Sequence, residues 1–192
     1  MSSGTVSVLI GIAIAAFPLS EILLAVFKRA RADVAVVADR GSMRLLWIVI
    51  CVSVVLAELV QNVRVGCFAA STTLICVIGF ALMSGGLLVR WISILTLGRL
   101  FTVDVAIHAE HRVVDTGLYR HLRHPSYAGL LLAFVGVGVF FRNWISILTL
   151  VVPITLALLN RIRKEEAALR AALGDAYVSY CSRTKRLVPG IL

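Results

Sequence analysis

The chain has 192 residues, of which 60% are hydrophobic, and a formal net charge of +9. A soluble domain is about 45–50% apolar, so this composition excludes an ordinary globular protein and points to an all-α integral membrane protein, a single membrane domain over residues 1–192. In such a chain the charge reads first as the excess of Lys and Arg on the cytoplasmic side, and nucleic acid is excluded as a partner.

A helix needs about 20 apolar residues to cross the hydrocarbon core. The first stretch that qualifies is 6–27. It lacks a basic n-region, so it is expected as a retained span rather than a cleaved signal peptide. Glu21, near its cytoplasmic end, is expected to cap the helix or to pair with Lys28 or Arg29. The second and third stretches are 45–63 and 67–89. Glu58 lies close enough to the outer end of the second to reach water. Acids inside spans are functional hypotheses by default, but a proton pathway needs more titratable groups at mid-depth than these spans hold.

The apolar run 126–160 is too long for one span and is interrupted by Arg142 and Asn143. It reads as a tight hairpin of two helices, 126–141 and 144–160. The first is short, so it is expected to tilt little or to begin below the interface. Pro18 and Pro153 fall inside spans and are candidate kinks. About five transmembrane helices result. Five Lys and Arg fall in 28–44, five in 90–124 and seven from 161 onward, against only Arg64 and Arg142 on the other side. This places the N-terminus outside and the C-terminus in the cytoplasm. Residues 1–97 are thus mainly spans, and 98–192 carry the polar chemistry.

Two other features point away from function. The heptad WISILTL occurs at 91–97 and 144–150, but its flanks do not match, which indicates local low complexity rather than duplication. Cys51, Cys67, Cys76 and Cys181 show neither CxxC nor Cys/His ligand spacing, so neither a disulfide nor a metal is expected.

The polar residues gather in two blocks, 98–129 and 160–189. An antiparallel hairpin returns to the side it left, so His124–Tyr127 and Asn160–Glu166 should form one composite site. The residue before a proline is pushed out of helical geometry, and proline is favoured at the first helical position. His124 should therefore sit just outside a helix that Pro125 starts. The free N–H groups there, with Arg123 and His124 beside them, suit an anion or a polar ligand; a headgroup anchor is the plain alternative.

In the second block Arg161, Glu165 and Leu169 recur at helical spacing, and Leu169, Leu173, Tyr177 and Tyr180 extend an apolar stripe. Arg161 and Glu165 share a face. They form either a surface ion pair worth a few tenths of a kcal/mol or a functional pair. In the second case Arg161 takes a substrate carboxylate through its planar fork, and Glu165 accepts from hydroxyl or ammonium groups. Glu166 points elsewhere, and the basic run 183–186 is expected to face lipid.

Taken together, EHRVVDTGLYRHLRHPSYAG and RIRKEEAALRAALGDAYVSY resemble the isoprenylcysteine carboxyl methyltransferase family and its compact prokaryotic members. The RHPSYxG run, a hairpin, EExxL and GxxYxxY carry the likeness over about half the chain. The resemblance implies S-adenosylmethionine as cofactor, in a site facing the cytoplasm of a multi-pass protein of a prokaryotic inner or plasma membrane. By position it implies that His111, Arg112, Val113 and Val114 line the cofactor with Tyr119. His124, Pro125, Ser126 and Tyr127 form the cofactor turn, Glu165 closes it, and Arg161 binds substrate, so that Arg161 and Glu165 are the catalytic pair. Asp104 falls at a polar cofactor contact of eukaryotic members. The implied reaction is carboxyl O-methylation of isoprenylcysteine or a similar lipophilic acid, on a prenylated or small-molecule substrate taken from the bilayer, with no metal. Related motifs leave N- or S-methylation of a lipid or small molecule, an NADPH-dependent membrane reductase, and a non-enzymatic lipid-binding protein as alternatives.

Overall fold

A computed structural model describes residues 19–21, 35–39, 41–61, 63, 65–101, 105–108 and 112–187. Most of the expected first span, together with Lys28, Arg29, Asp104 and His111, lies outside them. Among the described residues five helices dominate. They are α1 (Gly41–Val60), α2 (Thr72–Leu97), α3 (Pro125–Phe140), α4 (Trp144–Leu173) and α5 (Asp175–Arg183), with residues 19–21 also helical. Among the described residues α1, α2 and α4 are long and apolar enough to cross a membrane. The 16 residues of α3 reach about 24 Å, short of the roughly 30 Å hydrocarbon core.

The helices pack as two pairs, α2 with α3 and α1 with α4, joined by α3 against α4. Small residues let α2 and α3 touch backbone to backbone. A Cβ on Gly86 would come within 2.4 Å of the Ala133 amide nitrogen, and one on Gly129 within 2.5 Å of the Gly86 carbonyl. Leu150, Ile154 and Leu158 on α4 close the centre with Ala57 on α1, and all four are fully buried. The outward faces are apolar as well. Ile48, Val52, Val55 and Leu59 on α1, and Leu148, Val152 and Leu156 on α4, are exposed at helical spacing. Hydrocarbon on both sides of a helix is what a lipid solvent permits.

The hairpin turns where the sequence indicates. Arg142 takes a left-handed φ of 54°. Asn143 is fully buried and caps α4, accepting from the amides of Ile145 at 2.8 Å and Ser146 at 3.3 Å. Its Nδ2 donates to the carbonyls of Val63 and Val65, both at 3.1 Å, which ties the turn to the loop after α1. That close approach needs Gly66: a Cβ there would sit 2.9 Å from Asn143 Oδ1.

Three features differ from the sequence reading. The third span runs on to Leu97, taking Arg90 into the helix, where it is buried. The last span does not stop at Asn160; α4 continues unbroken through Pro153 and into the second polar block, ending only at Gly174 with φ 54°. A two-stranded antiparallel ribbon joins β1 (Ala35–Asp39) to β2 (Val105–His108), pairing Val36 with Ile107 and shifting register between Val37 and Asp39. Partners some 70 residues apart leave no local signal, so both segments read as loop.

Candidate active site

The mouth of α3 has the expected form. His124 is its N-cap residue with non-helical φ −126° and ψ 56°, and Pro125 opens the first turn. His124, Pro125 and Ser126 are buried. The C-terminal tail holds this mouth in place. Amides of Arg123 and His124 donate to the carbonyls of Lys185 at 2.7 Å and Arg186 at 3.0 Å, and Lys185 returns a bond to His121 at 3.0 Å. The backbone of the 183–186 run is thus an internal strap. Thr184 is buried and Arg186 folds inward, whereas the side chains of Lys185 and Arg183 stay exposed, the latter 3.7 Å from Asp115.

Two adjacent glutamates on α4 then take different roles in the geometry. Glu165 is half-buried, and its Oε2 accepts from the Tyr127 hydroxyl at 2.8 Å. That hydroxyl accepts in turn from Arg161 Nε at 2.8 Å, and Arg161 Nη1 donates to Ser42 Oγ at 3.1 Å. Arg161 is only 2% exposed. The face shared by Arg161 and Glu165 is real, and a tyrosine hydroxyl from α3 stands between the two side chains.

Glu166, one residue on, is 1% exposed. It accepts from Arg123 Nε at 2.9 Å, Arg186 Nη2 at 2.9 Å and Arg170 Nη2 at 3.4 Å. A buried carboxylate costs several kcal/mol unless its partners are well placed, and three guanidinium groups meet that need here. Arg123 also donates to the carbonyls of Cys181, at 2.9 Å, and Thr184, so one side chain fastens α4, α5 and the tail. Hydrogen bonding to Glu166 raises the Arg186 guanidinium above its ordinary value.

The imidazole of His124 lies between the two carboxylates, with Nδ1 4.0 Å from Glu165 Oε2 and Nε2 3.5 Å from Glu166 Oε1. The second contact lacks hydrogen-bond alignment, so Nε2 faces the Glu166 carboxylate as a close polar contact without an aligned hydrogen bond. The ring stacks on Tyr127 at 5.6 Å between centroids. Tyr119 joins from the short 3-10 turn Gly117–Arg120. Burial pushes its phenol well up, and the charge of Glu165 adds to this. Tyr180 Oη donates to the Tyr119 carbonyl at 2.7 Å, and burial raises the Tyr180 phenol to about 12.

Of the residues singled out from sequence, Tyr119, His124, Pro125, Ser126, Tyr127, Arg161 and Glu165 therefore come together. Arg112 is exposed, and Val113 and Val114 are half-buried; among the described residues no hydrogen bond joins them to the cluster. His111 and Asp104 lie outside the described residues. Sequence reasoning missed Glu166, Arg186 and Ser42. The available signal for Glu166 was Arg170, one turn later on the same face.

The sequence model of the isoprenylcysteine carboxyl methyltransferase (ICMT) family matches residues 73–171, just over half of the 192. The chain belongs to the isoprenylcysteine carboxyl methyltransferase family. It is 36% identical over 113 residues to protein-S-isoprenylcysteine O-methyltransferase B of Arabidopsis thaliana, covering 58% of this chain and 57% of that protein. With protein-S-isoprenylcysteine O-methyltransferase of Saccharomyces cerevisiae it shares 27% identity over 135 residues, covering 69% and 56%. The chain thus spans a little over half the length of these relatives. The solved structure of the eukaryotic intramembrane Ras methyltransferase ICMT superposes with a TM-score of 0.57 at 22% identity, over 78% of this chain and 51% of that one. That likeness shows the ICMT fold. The part matched by the ICMT family model contains Arg123, His124, Tyr127, Arg161, Glu165 and Glu166, whereas Ser42 and the tail strap lie outside it.

Proposed function

We propose that the chain is an S-adenosylmethionine-dependent methyltransferase that esterifies the carboxylate of an isoprenylated cysteine or a similar lipophilic acid. The observation that carries this reading is the Arg161–Tyr127–Glu165 chain. It sets a buried guanidinium one hydroxyl away from a half-open carboxylate, where α4 passes from apolar to polar sequence. Exposed Arg120, Arg163, Lys164, Arg170 and Arg183 ring that end, which supports a cytoplasmic site by the positive-inside rule.

The donor set fits such a cofactor. Glu165 has an open side for an ammonium or hydroxyl group, and the His124 ring with Tyr127 gives a stacked aromatic face. His124, Pro125, Ser126, Tyr127 and Tyr119 would hold the cofactor, with Glu165 closing the site and residues 112–114 on its flank. Bound there, it supplies an electrophilic methyl group on a sulfonium. An ionised carboxylate already carries its attacking lone pair, so the chain's task is proximity and orientation. Arg161, held by Ser42 and Tyr127, positions the acceptor carboxylate; gripping it too tightly would blunt its nucleophilicity. The lipophilic portion remains among the apolar helices.

The test is transfer from methyl-tritiated S-adenosylmethionine to a farnesylated N-acetylcysteine by the detergent-purified chain. A methyl ester releases volatile methanol in mild alkali. Alkali-labile label supports the reading, and alkali-stable label on an amine or thiol acceptor shows N- or S-methylation instead.

A further inference from the structure

A second buried ion pair lies behind the mouth of α3, and the methyl-transfer chemistry makes no use of it. Arg90 on α2 is 6% exposed and Glu21, from the N-terminal segment, is 8% exposed. Their contact is a two-point fork, with Nε to Oε1 at 2.6 Å and Nη2 to Oε2 at 2.7 Å. The third arm of the guanidinium, Nη1, donates to Ser126 Oγ at 3.0 Å and lies 3.5 Å from the Ser126 carbonyl. Ser126 is in the first turn of α3, directly after Pro125. The backbone of Arg90 has no slack here, since a Cβ on Gly129 would lie 2.7 Å from its amide nitrogen.

The electrostatics give Glu21 a specific task. A helix N-terminus carries about half a positive charge. A bare guanidinium beside it would be repelled, and repulsion would push Arg90 away from Ser126 or distort the first turn. A carboxylate in fork geometry cancels that charge while leaving one N–H free to point at Ser126. The pair is therefore arranged as a neutralised donor aimed at the turn.

We propose that Glu21 and Arg90 are positioning residues for the cofactor turn, with Glu21 neutralising Arg90 so that Arg90 can fix Ser126 and the first turn of α3. This rests on the methyltransferase reading for its effect on cofactor affinity. It also makes the N-terminal segment, which lies outside the part matched by the family model, a functional component of the site.

A double-mutant cycle on the full chain in detergent tests the proposal, with S-adenosylhomocysteine affinity read by calorimetry. Glu21→Gln is expected to weaken binding about tenfold, and to have little further effect once Ser126→Ala is present, because coupled residues are not additive. The KM of the lipophilic acceptor should move less than about twofold, outside the range expected for coupled sites. The charge swap Glu21→Arg with Arg90→Glu should restore much of the thermal midpoint without restoring affinity. Additive losses in the cycle, or full recovery of affinity by the swap, would overturn the positioning role. Amide hydrogen exchange at 124–129, read without any ligand, separates this from the functional reading. Faster exchange in Glu21→Gln is expected even if wild-type protein binds no S-adenosylhomocysteine, and unchanged exchange contradicts the proposal on its own.

Discussion

Glu165 and Glu166 are neighbours in the chain, yet their carboxylates approach opposite nitrogens of one imidazole. Oε2 of Glu165 is 4.0 Å from Nδ1 of His124, and Oε1 of Glu166 is 3.5 Å from Nε2. Successive helical residues diverge by about 100°, so one glutamate stays half-open while the other is sealed among arginines. The division suggests separate duties, Glu165 facing ligand and Glu166 holding the scaffold.

Stability should therefore respond very differently to the two. Glu166→Gln leaves Arg123 and Arg186 without their counter-charge in a buried setting and should cost about 3–5 kcal/mol. Glu165→Gln, at a partly exposed site, should cost under about 1 kcal/mol. Thermal unfolding of the two variants in the same detergent makes the comparison. Equal losses would mean that Glu166 is not the anchor described.

Ligand binding should divide the other way. Glu165→Ala should abolish S-adenosylhomocysteine binding in a folded protein. Arg161→Ala should leave that affinity intact and depress turnover, since Arg161 is proposed to serve the acceptor. Calorimetry with an activity assay separates the two effects. Cofactor binding lost in Arg161→Ala, or unchanged in Glu165→Ala, would reverse the assigned roles.

Tyr127→Phe removes only the hydroxyl that accepts from Arg161 and donates to Glu165. With the bridge gone, kcat should fall about 10- to 100-fold, an effect of about 1.4–2.7 kcal/mol on the barrier. The thermal midpoint should fall modestly, because the ring and its stacking on His124 remain but the buried Arg161 Nε loses its acceptor, at about 1–3 kcal/mol. Wild-type turnover in this variant would show that the bridge is incidental.

Alkaline pH probes the cap formed by α5. Burial raises the phenol of Tyr180 from 10.0 to about 12, and those of Tyr119 and Tyr177 further. A folded value above the unfolded one means that the stabilisation is complete below pH about 10 and is lost as pH rises toward 12. Tyrosinate absorbance should therefore appear together with loss of the folded signal above pH about 10, and Tyr180→Phe should soften that pH dependence. Tyrosine titration near pH 10 in a folded chain would place these side chains in water.

Much of this architecture is legible in the sequence because membrane helices announce themselves by long apolar runs. The segments 45–63 and 67–89, and the hairpin break at Arg142 and Asn143, all fall where α1, α2 and the α3–α4 turn lie. Local rules also place His124 and Pro125 correctly, since the constraint before proline acts within one residue. Arg90 looks like cytoplasmic loop in the sequence because its partner Glu21 is 69 residues away, and a lone arginine normally ends a span. The strap formed by Lys185 and Arg186 was hidden for the same reason. A basic run looks alike whether it meets headgroups or a buried carboxylate, and only the fold supplies Glu166.

The cluster at the mouth of α3 is proposed to take a methyl donor. Calorimetric titration of the detergent-purified wild-type chain with S-adenosylhomocysteine and, separately, with NADPH tests it most directly. Saturable binding of S-adenosylhomocysteine, with none of NADPH, is the predicted result. Binding of NADPH alone, or of neither, would rule out a methyl-donor site there.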